Sequence, residues 1–369
     1  MWNVYCLLSV VLFSLIQKTF QLDEFDIFEK DFRFDFDIDK DLESFVESFN
    51  LQDFTWKAKI NEKFANMTLD VKKLFCGLKS KAPKTPAAIP DFNKKSKIRS
   101  KRSNPSCTYN IEFDSRKQWP QCADIINIIR EQGQCSGCWA VASSSVFTDR
   151  YCIERAKKGL KTPVSDPDNQ SSDEEILSCT LPNYGCNGGA PWDAWQYMKN
   201  KGVVSGSNFE QKTGCKPYSI NPETDGPVPT PQCVSKCTNS RWSIPYKNDK
   251  KFVIWTGGIP GDMKIPEIVK AMKNEIKANG TITAAIDVYT DFYHYGEGVY
   301  KRTNGNFVAS HSIRIIGWGT QTCSGRVQPF WLVINSWGKQ WGMNGVFMIA
   351  QGSNECKALC ALISLMPIR

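Results

Sequence analysis

Hydrophobic positions change their spacing along this chain, and the changes mark out its parts. Val4 to Ile16 is a short unbroken apolar run. It is too brief for an ordinary membrane span and has the size of an export-signal core, which assigns residues 1–20 to a signal peptide. From Leu22 to Asn50, Phe alternates irregularly with acid, and the stretch carries eleven acidic residues against three basic ones. Period-2 alternation suits a half-buried strand. Acidic–apolar alternation also marks chain that orders only against a partner, and loose packing on a basic surface is the expectation here. Leu51 to Phe75 reads as short helices. Lys79 to Pro90, rich in Lys, Pro and Ala, reads as linker. Asn93 to Arg102 is a basic run ending in Lys101-Arg102, solvated on composition alone.

Beyond Ser103 the periodicity is first helical. A run from Trp139 to about Lys157 follows a Gly- and Cys-rich loop. Ser172-Asp173-Glu174-Glu175 has the form of a capping box ahead of a short helix. Pro191 opens and Gly202 closes another helix, with Trp192, Trp195 and Met198 expected on its apolar side. A helix from about Pro266 to Ala278 ends at Gly280. Strand patterns then take over: Thr281 to Tyr289, His311 to Gly319, Pro329 to Ile334 and Val346 to Ala350. Helices first and strands later predict an α+β chain of two lobes.

Composition narrows the classes. At 369 residues the chain can hold two or three domain-sized units and bury a substantial core. Fifteen cysteines with only two histidines argue for a disulfide framework in an oxidising compartment rather than for zinc sites of mixed Cys/His type. No metal or other cofactor is expected. The net charge of +8 comes without a basic helix or aromatic platform, so no nucleic-acid partner is implied. No stretch after the first is long enough to cross a membrane, and a monomer is expected. Asn66-Met67-Thr68, Asn169-Gln170-Ser171 and Asn279-Gly280-Thr281 are glycosylation acceptors by sequence.

The chemistry concentrates in Gln132-Gly133-Gln134-Cys135-Ser136-Gly137-Cys138-Trp139. Cys138 stands at the start of the first long helix, where the dipole and free N–H groups favour a thiolate, the attacking species in cysteine catalysis. Gln132 can offer an amide N–H to a developing oxyanion. His311 heads an apolar strand, and Asn335 lies in Val333-Ile334-Asn335-Ser336-Trp337-Gly338. Cys, His and Asn in that order are the parts of a hydrolase triad. Cys135-x-x-Cys138 is also the pattern of thiol–disulfide oxidoreductases, but no thioredoxin-like βαβ unit accompanies it. His294 has no such context and reads as structural, and Trp192, Trp195, Trp331 and Trp341 as core.

These motifs resemble the papain-like cysteine proteases, and within them the cathepsin B group. The resemblance extends through Gln118-Trp119-Pro120-Gln121-Cys122, Gly185-Cys186-Asn187-Gly188-Gly189, Gly214-Cys215-Lys216-Pro217-Tyr218 and Gly298-Val299-Tyr300, covering roughly residues 50 to 369. It implies a helical left lobe carrying Cys138 and a β-rich right lobe carrying His311 and Asn335. Gln132 and the Cys138 N–H would form the oxyanion hole, and Trp337 would shield the His–Asn hydrogen bond. Gly188 and Gly189 would meet substrate backbone, and Ala361 would stand at the base of a side-chain pocket. Disulfides Cys122–Cys152, Cys135–Cys186, Cys179–Cys233 and Cys215–Cys237 are implied, leaving Cys138 free. The pairing of Cys107, Cys323, Cys356 and Cys360 stays open. Thr55-Trp56-Lys57-Ala58 and Leu74-Phe75-Cys76-Gly77 resemble the propeptide of this group. Residues 21–102 then read as propeptide, with 51–78 inhibitory, Arg102 as processing site and 103–369 as the mature domain. The resemblance implies a cysteine peptidase made as a zymogen, acting on peptides and proteins, inhibited by its own propeptide, in lysosomes or outside the cell; endopeptidase activity is the expectation because the loop Pro217 to Cys233 carries no His to bind a substrate C-terminus.

Some positions depart from the group. Ser136-Gly137 reverses the usual order, and Ala309-Ser310 replaces a Gly pair before the histidine. Ala361 stands where the group carries Glu. The loop Pro217 to Cys233 lacks the two histidines and the inner cysteine pair of the occluding loop. A catalytically inactive binding protein is the alternative reading.

Overall fold

The computed structural model describes residues 41–79, 107–182, 185–259, 263–303, 305–352 and 360–365. The signal-like run, most of the acidic–Phe stretch, the linker with Arg102, and Cys356 lie outside them. The chain forms two compact units, residues 1–45 and 46–369. Of the first, the described residues contribute only the beginning of helix α1 (Leu42–Asn50). That end of the acidic–Phe stretch is therefore helical.

The remaining elements are β1 (Trp56–Ala58), α2 (Glu62–Ala65), α3 (Leu69–Lys73), β2 (Cys107–Asp114), α4 (Ser115–Gln118), α5 (Ala123–Ile126), α6 (Cys138–Lys157), α7 (Asp173–Cys179), α8 (Pro191–Asn200), β3 (Trp255–Gly258), α9 (Ile265–Asn279), β4 (Ile282–Tyr289), β5 (Tyr295–Tyr300), β6 (Phe307–Cys323), β7 (Arg326–Ile334), β8 (Val346–Ala350) and β9 (Cys360–Leu365). The strands form one sheet in the order β1-β5-β8-β7-β6-β4-β9-β3, with β2 also on β6. Helices and strands are both present, as the α+β reading expects, but strand β2 opens the region that local periodicity reads as helical first, because its partner β6 lies far along the chain.

Helix α6 joins the two halves. Every residue from Cys138 to Ile153 is buried, as expected of a helix with core on all sides. Trp139 and Phe147 pack with Ile176, Trp195 and Met198 of the helical lobe. Cys152 and Ile153 pack with Ile316, Phe330 and Ile334 of the sheet. Charge is neutralised inside: Arg314 meets Asp149 at 2.8 Å and Arg130 meets Asp173 at 2.8 Å, all four buried.

Several elements differ from expectation. Within the stretch read as short helices, β1 is a strand, antiparallel to β5 with Trp56 opposite Gly298. Its partner lies far along the chain, so local periodicity carries no sign of it. In α8, Pro191, Ala194, Trp195 and Met198 form the buried face, while Trp192 is 44 % exposed. At about 100° per residue, position 192 falls off the stripe that 191, 194, 195 and 198 share. The capping box is half made. Ser172 accepts the Glu175 N–H, but the Glu175 carboxylate turns to Tyr197 and Tyr246 hydroxyls at 2.7 and 2.6 Å and to Lys250.

Five disulfides stand among the described residues: Cys122–Cys152, Cys135–Cys186, Cys179–Cys233, Cys215–Cys237 and Cys107–Cys323. The last follows from register, since β2 lies antiparallel to β6 with Cys107 directly opposite Cys323. Cys76 and Cys138 are free and buried. Of the glycosylation acceptors, Asn66 is exposed. Asn279 donates to Glu275 at 3.1 Å. Asn169 is buried with its amide donating to the Pro163 carbonyl at 2.8 Å. A side chain enclosed in that way has no room for a glycan, which removes Asn169 from the candidates.

Candidate active site

Cys138 is the first residue of α6, following Gly137 at the cap. The first turn of a helix leaves N–H groups without internal partners. The Cys138 thiol meets its own N–H, that of Trp139 and that of Ser312. Ser312 follows His311 on β6, so the sulfur lies between the helix tip and the strand that carries the histidine.

His311 is fully buried, and its Nε2 lies 2.8 Å from Asn335 Oδ1. The Ser336 backbone N–H donates to the same Oδ1 at 2.8 Å. A backbone N–H can only donate, so that atom is the amide oxygen, and Nε2 must then donate to it as well. In the neutral imidazole this leaves Nδ1 as the bare acceptor. Nδ1 is buried and has no hydrogen-bond partner among the described residues. Trp337 covers the pair, its ring centred 5.0 Å from that of His311 and stacked at 5.1 Å on Tyr293.

Gln132 is buried and held through both its backbone and its side chain. Its N–H donates to Ser336 O at 3.0 Å, Ser336 Oγ donates to its Oε1 at 2.6 Å, and its Nε2 donates to Cys135 O at 2.8 Å. An amide nitrogen has two protons, so one remains for another acceptor. Ser336, Tyr293 and Cys76 also belong to this site but were not singled out for it. Ser336 sits beside Asn335 in sequence, and that adjacency was the one available signal.

The N-terminal segment crosses the site. Phe75 O accepts from Trp337 Nε1 at 2.8 Å. Gly77 and Leu78 N–H donate to Ser310 O at 3.1 and 3.0 Å, Lys79 N–H donates to Gly189 O at 2.7 Å, and Gly189 N–H donates to Gly77 O at 3.0 Å. Gly188, at φ +103°, makes this approach feasible, because a Cβ there would stand 2.6 Å from Gly77 O. Upstream, Phe64 packs edge-on against Phe75 and Trp337 at 4.9 and 5.2 Å. Trp56 donates to Lys301 O at 2.9 Å.

Burial under this segment sets the protonation states. Desolvation pushes the Cys138 thiol up to about 12, outweighing the backbone N–H groups that oppose it. Desolvation likewise pulls His311 down to about 4, against the bond to Asn335. In this state the pair is neutral thiol and neutral imidazole. The thiolate expected at a helix tip is absent here because dehydration costs more than the helix terminus returns.

The loop Pro217 to Cys233 lies against the nucleophile loop. Tyr218 Oη donates to Gln132 O at 2.9 Å, Gly226 N–H to Gln134 Oε1 at 2.6 Å, and Cys186 N–H to Thr230 Oγ1 at 2.9 Å. Its charged residues, Glu223 and Asp225, are exposed. Ala361 pairs with Ala284 in the β4–β9 ladder. Cys135 is bonded to Cys186, so it forms no redox pair with Cys138. Among the described residues no group of three or more His, Cys, Asp and Glu could hold a metal ion.

Residues 109–364 match the family model described as papain family cysteine protease. The chain belongs to that family. It is 37 % identical over 342 residues to cathepsin B-like cysteine proteinase 4 of Caenorhabditis elegans, covering 88 % of this chain and 92 % of the relative. It is 40 % identical over 257 residues to the gut-specific cysteine proteinase of the same organism, covering 68 % and 72 %. Among solved structures it resembles procathepsin B S9 of Trypanosoma congolense, with a TM-score of 0.67 at 29 % identity, over 89 % of this chain and 98 % of that one. The chain is thus a cathepsin B-like, cysteine-type peptidase of the papain family. No helix among the described residues is long and apolar enough to cross a membrane.

Proposed function

We propose that this protein is a cysteine endopeptidase made as a latent precursor, with Cys138, His311 and Asn335 as its catalytic set. The observation that carries the reading is the path of residues 75–79. An extended peptide backbone already lies across the cleft, hydrogen-bonded to Gly189 on one wall and Ser310 on the other. A cleft that holds one extended chain in this way can hold a substrate chain by the same backbone groups.

Removal of the N-terminal segment rehydrates the site and lowers the cost of charge. The proton of the Cys138 thiol then passes to His311 Nδ1, the bare nitrogen, giving a thiolate–imidazolium pair. Asn335, already accepting from Nε2, holds the ring in that orientation. The thiolate attacks the scissile carbonyl, and the oxyanion takes the Cys138 N–H and the second amide proton of Gln132, an arrangement in which one donor contributes roughly 3 kcal/mol. His311 gives its proton to the leaving amine, and water then hydrolyses the thioester. Gly188 and Gly189 pair with substrate backbone.

Residues 21–102 are the propeptide in this reading, and a cut near Arg102 releases the mature domain, 103–369. The secretory pathway delivers the protein to lysosomes or the cell exterior, with glycans at Asn66 and Asn279. The test is peptide cleavage and labelling by a thiol-reactive peptide epoxide, before and after processing. Cys138→Ala and His311→Ala should each abolish turnover. Appreciable turnover by processed Cys138→Ala would refute the assignment and favour another nucleophile. A processed wild type that neither cleaves nor labels would favour the inactive binding protein.

A further inference from the structure

The N-terminal segment leaves an impression of what the mature cleft accepts. Its Lys63 reaches the arm of the cleft that carries Trp337. There the ammonium is ion-paired with Glu131 and donates to the Trp337 carbonyl at 3.2 Å, with only 10 % of the side chain exposed. Glu223, on the proline-rich loop, acts on the same charge. All three partners belong to the region after residue 103. The seat is built into the backbone. Glu131 bridges to Trp337, and its carboxylate lies where a Cβ on Gly338 would come within 2.4 Å of Oε2. Gly338, at φ +81°, can leave that space. Departure of the segment would leave a partly buried carboxylate and a main-chain carbonyl open toward the cleft.

We infer that the mature enzyme uses Glu131, Trp337 O and Glu223 to select a Lys or Arg side chain in its substrate. The inference rests on the peptidase reading and adds a specificity to it. The selected residue lies on the Trp337 arm, which is one side of the scissile bond. Trp337 touches His311, so the residue stands within the reach of a Lys or Arg side chain of the bond. A carboxylate beside a carbonyl offers acceptors only, which suits an ammonium or guanidinium and repels Asp or Glu.

The experiment is cleavage by the processed protein of a peptide library carrying Lys, Arg, Ala or Glu at each of several positions on both sides of the scissile bond. Lys and Arg should be favoured over Ala by roughly fivefold, the effect of a partly exposed ion pair, at one position on one side, with Glu disfavoured there. Glu131→Gln should bring that ratio close to one, and Glu131→Lys should reverse it in favour of Glu. Should these variants not fold, the wild-type ratio itself must shrink as salt is raised, since the pair is partly exposed. Cleavage with no basic preference on either side would overturn the inference while leaving the peptidase reading intact. So would a preference that survives both substitutions, or one that salt does not alter. Failure to cleave any peptide would sink the peptidase reading and this inference together.

Discussion

Gly77 is the point at which latency can be tested most sharply. Its φ is +136°, and a Cβ there would stand 2.4 Å from Ser136 Cβ and 2.5 Å from Ser136 O. Neither neighbour is the loose end of a flexible side chain, so in Gly77→Ala the segment itself must retreat. Retreat breaks the bonds from Gly77 and Leu78 to Ser310 O and from Gly189 to Gly77 O, at 3.1, 3.0 and 3.0 Å. Each is worth about 1 kcal/mol net, and the backbone conformation adds about 1 kcal/mol for a residue with a Cβ. The sum, roughly 4 kcal/mol, corresponds to a rise of between a hundred- and a thousandfold in the population with the cleft uncovered. The assay is the rate at which a thiol-reactive peptide epoxide labels the intact precursor, with Cys138→Ala as the blank. Gly77→Ala precursor should label faster by roughly two to three orders of magnitude, with the processed forms equally reactive. Labelling no faster than wild type would show that residues 77–79 do not guard the thiol, and the latency argument would fail with it.

The precursor should lose stability in acid through His311. Its folded value of about 4 lies below the ordinary 6.5, so the unfolded chain takes up the proton first as pH falls. The contribution is complete above pH 6.5 and is lost between 6.5 and about 4, about 3 kcal/mol in all at 1.36 per unit. Urea midpoints across that window should fall further for wild type than for His311→Gln, and parallel falls would refute the account. If Ala361 stands at the base of the side-chain pocket, as proposed, the mature enzyme should cleave Phe-Arg peptides better than Arg-Arg peptides, because Ala at that position gives Arg no partner. Ala361→Glu should raise the Arg-Arg rate about tenfold, and an unchanged ratio would remove Ala361 from that pocket. Dipeptide release from a free C-terminus should be weak, since the loop Pro217 to Cys233 has no His and carries exposed Glu223 and Asp225. Efficient release that is lost on amidating the terminal carboxylate would show that another cation, such as Lys216 or Arg241, has taken that role.

What could be read from sequence in this protein was local or patterned. The helix behind Cys138, the Pro191 and Ile265 helices and four of the late strands, β4, β6, β7 and β8, follow from apolar spacing and from Pro and Gly at their ends, and each depends on residues only a few positions apart. Cys138, His311 and Asn335 stand out as candidates because their order and flanking motifs are distinctive. Tertiary structure decided what depends on distant partners. Strand β1 exists because β5 offers it an edge, and Cys107 finds Cys323 because β2 and β6 meet in that register. Glu175 abandons its capping role because two tyrosines and Lys250 reach it from other elements. The protonation of the site was decided the same way. A helix tip favours a thiolate, and the sequence shows the helix tip. Whether water reaches that sulfur depends on where residues 75–79 lie, and their hydrogen bonds to Ser310, Gly189 and Trp337 span more than a hundred residues of chain. Burial is a property of the whole packed molecule, and here it overrides the local field that the helix supplies.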